Sequence, residues 1–354
     1  MIKQSGTANF SPLRLRRGGG FYFNQNKEKF KMKKFLSILI VVAMVATLAV
    51  AVTSCGGTGA KYKVGIVQLV THEALDAATE GFKQALIDKL GKGTVEFVYQ
   101  NAAGDSAQCA TIVNQFVSSK VDLIMANATP ALQAAANATT TIPVLGTSVT
   151  DYASALGLKD FNGVVGGNVS GTSDLAPLKE QAAMVVELCP DAKTVGIVYC
   201  SAESNSKYQA DIVAVELKSR GVENVQIYTF ADTNDVATVV TKAADECDAL
   251  YIPTDNTCAS CVDTINPITE GKKVPVICGE EAICKGCGVA TLSISYYNLG
   301  YKTGEMAAKI LQGTSKVSEM AIEYDSSPVK KYMESRCNAI GLTVPSSYTK
   351  IAEK

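Results

Sequence analysis

Lys63-Val64-Gly65-Ile66-Val67 and Thr194-Val195-Gly196-Ile197-Val198 are two versions of one phrase. The first runs into a polar turn, Gln68 to Glu73, and then a helical stretch from Ala74 to about Leu90. The second runs into Tyr199 to Asn205 and a helical stretch to about Ser219. A short strand of β-branched residues, a polar turn and an amphipathic helix make the opening βα unit of an open parallel sheet. The unit occurs twice, far apart in the chain, which predicts two similar α/β lobes. Ligands bind such sheets outside the carboxyl ends of the strands, where helix N-termini also point. The polar turns therefore mark the candidate binding surface, and the pair predicts a two-lobed receptor that closes on a small molecule.

Outward from these units, strands and helices alternate. In the first half, strands are expected at Tyr62–Gln68, Thr94–Tyr99, Val121–Ala126, Ile142–Gly146 and Val164–Asn168, with helices Ala74–Leu90, Ser106–Ser118 and Ala131–Thr139 between them. Asp105 is placed to cap the second helix, and Pro130 sits at a first helical turn, where its missing N–H costs nothing. The polar stretch Asn168 to Asp174 marks a crossover between lobes. The second half reads as strands Thr194–Tyr199, Asn224–Phe230, Ala249–Pro253, Val274–Cys278 and Val289–Ser293, and helices Leu178–Leu188, Ser206–Ser219, Val236–Cys247 and Cys258–Ile268. A long helix, Tyr296–Gln312, carries small residues on one face and stops at Gly313; a strand Met320–Tyr324 and a helix Val329–Asn338 follow. The alternation implies parallel sheets covered on both faces, that is, an α/β fold of two Rossmann-like lobes joined by a hinge.

The N-terminus carries an export signal. Lys33 and Lys34 precede an uncharged apolar run, Phe35 to Val52, and then Thr53-Ser54-Cys55-Gly56-Gly57. A basic segment, an apolar segment and small residues at the cleavage point make a secretory signal. Cys55 after Val-Thr-Ser resembles a bacterial lipoprotein box, in which that cysteine is lipidated and becomes the mature N-terminus. The competing reading is a transmembrane anchor, for which the run is about long enough. Both place the rest of the chain outside the cytoplasmic membrane. Residues 1–31 read as mistranslated upstream sequence before a start at Met32, 32–54 as signal peptide and 55–60 as lipidated tether. The 354-residue chain has 33 basic and 34 acidic residues, a balance that offers nothing to nucleic acid.

The polar loops resemble those of the substrate-binding proteins of ABC transporters, in the periplasmic binding protein type I fold and the branch associated with aromatic amino acids such as tryptophan. The residues that carry the resemblance are Gln68 to Asp76, Glu80-Gly81-Phe82, Thr150-Asp151, Asn168-Val169-Ser170-Gly171, Glu203-Ser204-Asn205-Ser206, Pro253-Thr254-Asp255-Asn256, Gly279-Glu280-Glu281 and Ser295 to Gly300. Glu73 stands where the family usually has Pro, and Asn127-Ala128-Thr129-Pro130 where Gly-Thr-Pro is common. The resemblance implies that each lobe is entered more than once: residues 61–171 with 295–318, and 172–294 with 319–354. It also implies an ABC permease and its ATPase as partners, a membrane anchor through Cys55, and no cofactor.

A zwitterionic amino acid needs backbone N–H groups and hydroxyls for its carboxylate, and Thr129, Thr147 and Ser148 are placed for that. Its ammonium needs a carboxylate, Asp255 first and Glu280 second. Its side chain needs an apolar wall, for which Tyr296, Leu69 and Tyr199 are candidates. Asn205, Ser206 and Asn256 complete the set from the second lobe, and Gln68 and His72 from the first. Asn205-Ser206 and Asp255-Asn256 are equally what helix N-caps look like. No Gly-x-Ser-x-Gly elbow, no phosphate loop and no partner for the single histidine argue for catalysis. Cys258-x-x-Cys261 and Cys284-x-x-Cys287 have zinc-like spacing, with disulfides or free thiols as the other readings. A sensory module, or a binder of a sugar, nucleoside or autoinducer, shares this fold. A sugar site usually stacks its ligand on Trp, and the chain has none.

Overall fold

The structure, a computed structural model, describes residues 59–325 and 327–353. Cys55, the apolar run before it, the leader and most of the tether lie outside the described residues. Among the described residues no helix is long and apolar enough to cross a membrane.

The first lobe is laid down as β1 (Tyr62–Gln68), α1 (Glu73–Leu90), β2 (Val95–Asn101), α2 (Ser106–Ser118), β3 (Leu123–Asn127), α3 (Thr129–Ala138), β4 (Val144–Val149), α4 (Tyr152–Leu156) and β5 (Val169–Ser173). The chain then builds α5 (Leu178–Leu188), β6 (Thr194–Cys200), α6 (Ser204–Ser219), β7 (Asn224–Phe230), α7 (Val236–Glu246), β8 (Ala249–Ile252), α8 (Asn256–Ser260), α9 (Val262–Gly271), β9 (Val276–Cys278), α10 (Glu281–Cys287) and β10 (Ala290–Ser293) in the second. It returns for α11 (Tyr296–Leu311), a short 3₁₀ turn and β11 (Glu323–Tyr324), and ends with β12 (Val329–Tyr332), α12 (Glu334–Ile340) and β13 (Thr349–Lys350).

The six-stranded first sheet has the order β11-β5-β4-β3-β1-β2, and the seven-stranded second sheet β13-β12-β10-β9-β8-β6-β7. All pairings are parallel except β10 with β12. Alternation along β1 feeds both faces. Val64 and Ile66 pack with Phe82 and Leu86 of α1 and Met306 of α11, while Val67 packs with Ile112 and Phe116 of α2 and Leu132 of α3. In the second lobe Val195 and Ile197 face α5 and α6, and Val198 faces the side built from α7, α9 and α10.

Several expectations need correction. The strand expected at Val164–Asn168 forms at Val169–Ser173, because the glycines at 166 and 167 take positive φ and leave only isolated bridges before it. The first crossing therefore follows Ser173 rather than residue 171. The segment expected to rejoin the second lobe from residue 319 stays in the first, since β11 pairs with β5; the last crossing falls between Tyr324 and Val329. Val329–Tyr332 is a strand against β10, not the start of a helix. The helix expected from Cys258 to Ile268 is two, α8 and α9, meeting at Cys261. Cys284 and Cys287 lie on α10. All ten described cysteines are free thiols, most of them buried, and no group of His, Cys, Asp and Glu among the described residues is arranged to hold a metal.

Candidate functional site

The parallel strands of both sheets end at one seam, and the loops that leave them meet there. From the first lobe come the β1–α1 loop with His72 and the irregular end of β4 with Ser148; from the second come Asn205, Thr254-Asp255-Asn256 and Glu280. Asp174, at the first crossing, and Tyr296, at the second, close the inner end of the same cavity. The lobes touch across the seam. His72 Nε2 lies 3.2 Å from Asn256 Oδ1, Gln209 Nε2 lies 3.5 Å from Thr150 Oγ1, and Glu73 forms an ion pair with Lys285. The cavity measures about 10 Å³, room for about one water molecule. Admission of anything larger requires the lobes to part.

Three carboxyl groups line this space: Asp174, Asp255 and Glu280, each at most 3% exposed. No lysine or arginine lines it. Asp255 caps α8, its two oxygens accepting from Cys258 N at 2.7 Å and Cys200 N at 2.8 Å. Burial, with the neighbouring charge of Glu203, pushes it up to about 7. Glu280 caps α10, accepting from Ala282 N at 2.6 Å and from Ile283 N, and burial likewise pushes it up to about 7. Asp174 accepts from Thr150 Oγ1 at 2.9 Å and the Tyr296 hydroxyl at 2.8 Å, and burial raises it too. A charged carboxylate out of water without a cation is costly. The cavity is thus short of positive charge.

Polar atoms left without partners point to the same need. His72 Nδ1, Ser148 Oγ and Asn205 Oδ1 are buried and unbonded, and all three residues line the cavity. Thr129 Oγ1, at the first residue of α3, is also buried and unbonded, though Thr129 does not line the cavity. Orphaned polar groups of this kind are rare in a finished interior and call for explanation. Two positions are also strained: Ser148, at the register shift near the end of β4, has φ +55° and Ala128, before α3, has φ +93° with ψ 158°. Strain concentrates where chain geometry serves a site.

Of the residues expected at the site, His72, Ser148, Asn205, Asp255, Asn256, Glu280 and Tyr296 come together here. Others turn elsewhere. Gln68 is spent inside the first lobe, donating to Val70 O and Asp76 Oδ1 and accepting from Thr79 Oγ1. Thr147 joins Thr172 in a buried hydroxyl pair, and Ser206 reaches the Thr254 carbonyl. Tyr199 packs into the second lobe's core. Leu69 lies further out, with Val70 and Pro130, on a second space of about 280 Å³ between the lobes. Asp174 and Glu203 were missed. The signal for Asp174 was its place at the end of the polar crossover segment; Glu203 stood in a segment that carries the resemblance, but a glutamate before a helix usually faces solvent and was given no role.

Two α/β lobes crossed three times by the chain, with a polar cavity enclosed at the seam, define a solute-binding protein that closes like a clamshell. The family model described as "ABC transporter substrate binding protein" matches residues 63–331, and the chain belongs to that family. The family binds substrate outside the cytoplasm and does not catalyse. The chain is 36% identical to the tyrosine-binding protein of Clostridioides difficile (strain R20291) over 298 residues, 80% of this chain and 86% of that one. It resembles the crystal structure of an ABC domain in complex with L-Trp from Streptococcus pneumonia, with TM-score 0.79 and 30% identity over 83% of this chain and all (100%) of that one. A ligand-free, open substrate-binding protein with adhesive properties from Clostridium difficile is 37% identical over 83% of this chain and 100% of its own, yet superposes with TM-score 0.63. The better fit to the complex, despite lower identity, is what closed lobes produce.

Proposed function

We propose that the protein is an extracytoplasmic lipoprotein that captures an aromatic amino acid between its lobes and delivers it to an ABC permease. The observation that carries this reading is the cavity's imbalance: three buried carboxyl groups, no cation, and acceptors and hydroxyls with nothing to bond. A ligand's ammonium supplies the missing charge to Asp255, Glu280 and Asp174. Its carboxylate takes Ser148, Thr129 and the N-terminal N–H groups of α3. The side chain lies against Leu75 and Tyr296. Bridging both lobes, the ligand favours the closed state by its greater affinity for it. The ligands in the names of the tyrosine-binding relative and the tryptophan complex support the aromatic class. Lipidation of Cys55 tethers the receptor beside its permease.

The chain contains no tryptophan, so indole emission in a mixture belongs to added ligand alone. Titrating L-tryptophan with protein should shift that emission, and L-tyrosine should compete the shift away. A thermal-shift panel should show stabilisation by aromatic amino acids and not by sugars; no response to any aromatic amino acid sinks the ligand assignment. Cys55→Ser should release the protein from the membrane fraction, and a variant that stays membrane-bound would count against lipid anchoring.

A further inference from the structure

Glu203 lies in the loop between β6 and α6, is 4% exposed and has no basic partner. It accepts five hydrogen bonds: from Asn205 Nδ2 at 3.2 Å, Asn256 N at 3.1 Å and Asn256 Nδ2 at 2.6 Å on one oxygen, and from Thr257 N and Thr257 Oγ1, each at 2.8 Å, on the other. A group that accepts at every bond fixes which way its partners face. An asparagine amide has one nitrogen and one oxygen, and the nitrogens of Asn205 and Asn256 are both held by Glu203. Both oxygens therefore turn outward. Asn205 Oδ1 is buried, unbonded and at the cavity; Asn256 Oδ1 meets His72 Nε2 from the other lobe.

The consequence crosses the seam. Because Asn256 presents an acceptor, His72 Nε2 must carry the proton. Burial lowers the affinity of the ring for a second proton, so the ring is neutral and Nδ1 is left a bare acceptor. That atom is the one buried at the cavity with no partner. We infer that Glu203 is a positioning residue that sets the hydrogen-bonding sense of the whole cleft: through the two asparagines it fixes the tautomer of His72 and makes Asn205 Oδ1 and His72 Nδ1 acceptors for donor groups of the ligand. The pair recognises N–H or O–H donors and rejects a ligand that offers acceptors at those points, since each would leave two lone pairs facing each other. The ligand half of this inference rests on the amino-acid reading above; the tautomer half does not.

The single histidine makes the test direct, because its ring nitrogens give the only imidazole signals in a ¹⁵N spectrum. At neutral pH the wild-type protein, closed on whichever solute of the thermal-shift panel stabilises it, should show protonated Nε2 and unprotonated Nδ1. Glu203→Met removes both acceptor oxygens, so nothing holds the asparagine nitrogens, the Asn256 amide is free to turn, and the Nδ1-protonated form should grow. L-tyrosine affinity should fall by about tenfold or more in the same variant, the scale of one or two lost hydrogen bonds. A wild-type ring protonated at Nδ1, or on both nitrogens, overturns the inference even if the variant fails to fold. Identical spectra for the two proteins also overturn it, as does a changed tautomer with unchanged affinity. If the wild-type chain binds no aromatic amino acid, the proposed function fails while the comparison of tautomers still decides the role of Glu203.

Discussion

Glu280 shows what one side chain costs and contributes at this site. Its carboxyl group is held out of water against two backbone N–H groups of α10, and burial raises it to about 7, against an ordinary value of 4.5. The folded protein therefore holds a proton there that the unfolded chain gives up. Stability from this group is full below about pH 4 and is lost as pH rises through 7. His72 works in the opposite sense: burial lowers it from 6.5, so its contribution is present above that value and lost as the solution is acidified. In urea unfolding between pH 5 and 8, Glu280→Gln should lose less stability with rising pH than wild type, by about 3 kcal/mol at most. Parallel pH profiles would mean that Glu280 does not titrate in the fold. Ala128 offers a second single-residue test. Its backbone, φ +93° and ψ 158°, is one that only glycine adopts freely, so Ala128→Gly should stabilise the protein by about 1 kcal/mol net of glycine's entropy, read by the same unfolding assay. The placement of Asp255, Asn205 and Asn256 at the cavity was legible in the sequence because each follows a β-branched strand, at the end where the sheet's loops gather. Gln68 and Thr147 looked the same but point inward, and a residue near the end of a strand does not declare in sequence which way it turns. The carboxyl group of Asp255 that caps α8 is also one that lines the cavity.

Among the elements, α1 and α11 are packed most closely. A Cβ on Gly300 would lie 1.9 Å from Ala78 O, and one on Gly81 2.1 Å from Tyr297 O, so the two helices cross with backbone against backbone. This contact joins the helix after β1 to the helix that returns from the second lobe, and Tyr296, at the start of α11, thereby reaches Asp174. Gly300→Ala should force the helices apart at a cost of about 1–3 kcal/mol, seen as a lower unfolding midpoint. It should also weaken ligand binding, since Tyr296 moves with α11; an unchanged midpoint would show that the helices yield freely. The small-residue face of this helix was visible in the sequence, as were β1, α1, β6 and α5 nearly to the residue, because apolar period and length agreed there. The carboxy-terminal third was read less well. Val329–Tyr332 carries two lysines and joins β10 antiparallel, and Glu323–Tyr324 is a two-residue strand; both are set by sheet neighbours far away in the chain, not by local preference.

For the molecule as a whole the question is what holds the lobes together. The ion pair of Glu73 with Lys285 spans the seam, and Lys285 also meets Glu281, which in turn meets Lys331 at 2.5 Å. The groups of the seam-spanning pair are partly exposed, with Glu73 at 59% and Lys285 at 32%, and exposed pairs contribute only about 0–1 kcal/mol. The buried atoms around the cavity face no such screening. Closure should therefore depend weakly on the rim and strongly on the ligand. Glu73→Gln should raise the ligand's Kd by no more than about fivefold, chiefly through faster release, and the difference from wild type should shrink as salt is raised. Small-angle scattering should show the variant slightly more expanded without ligand and unchanged with ligand saturating. A loss of binding as large as that of Glu203→Met, or one that persists at high salt, would shift the control of closure from the cavity to the rim.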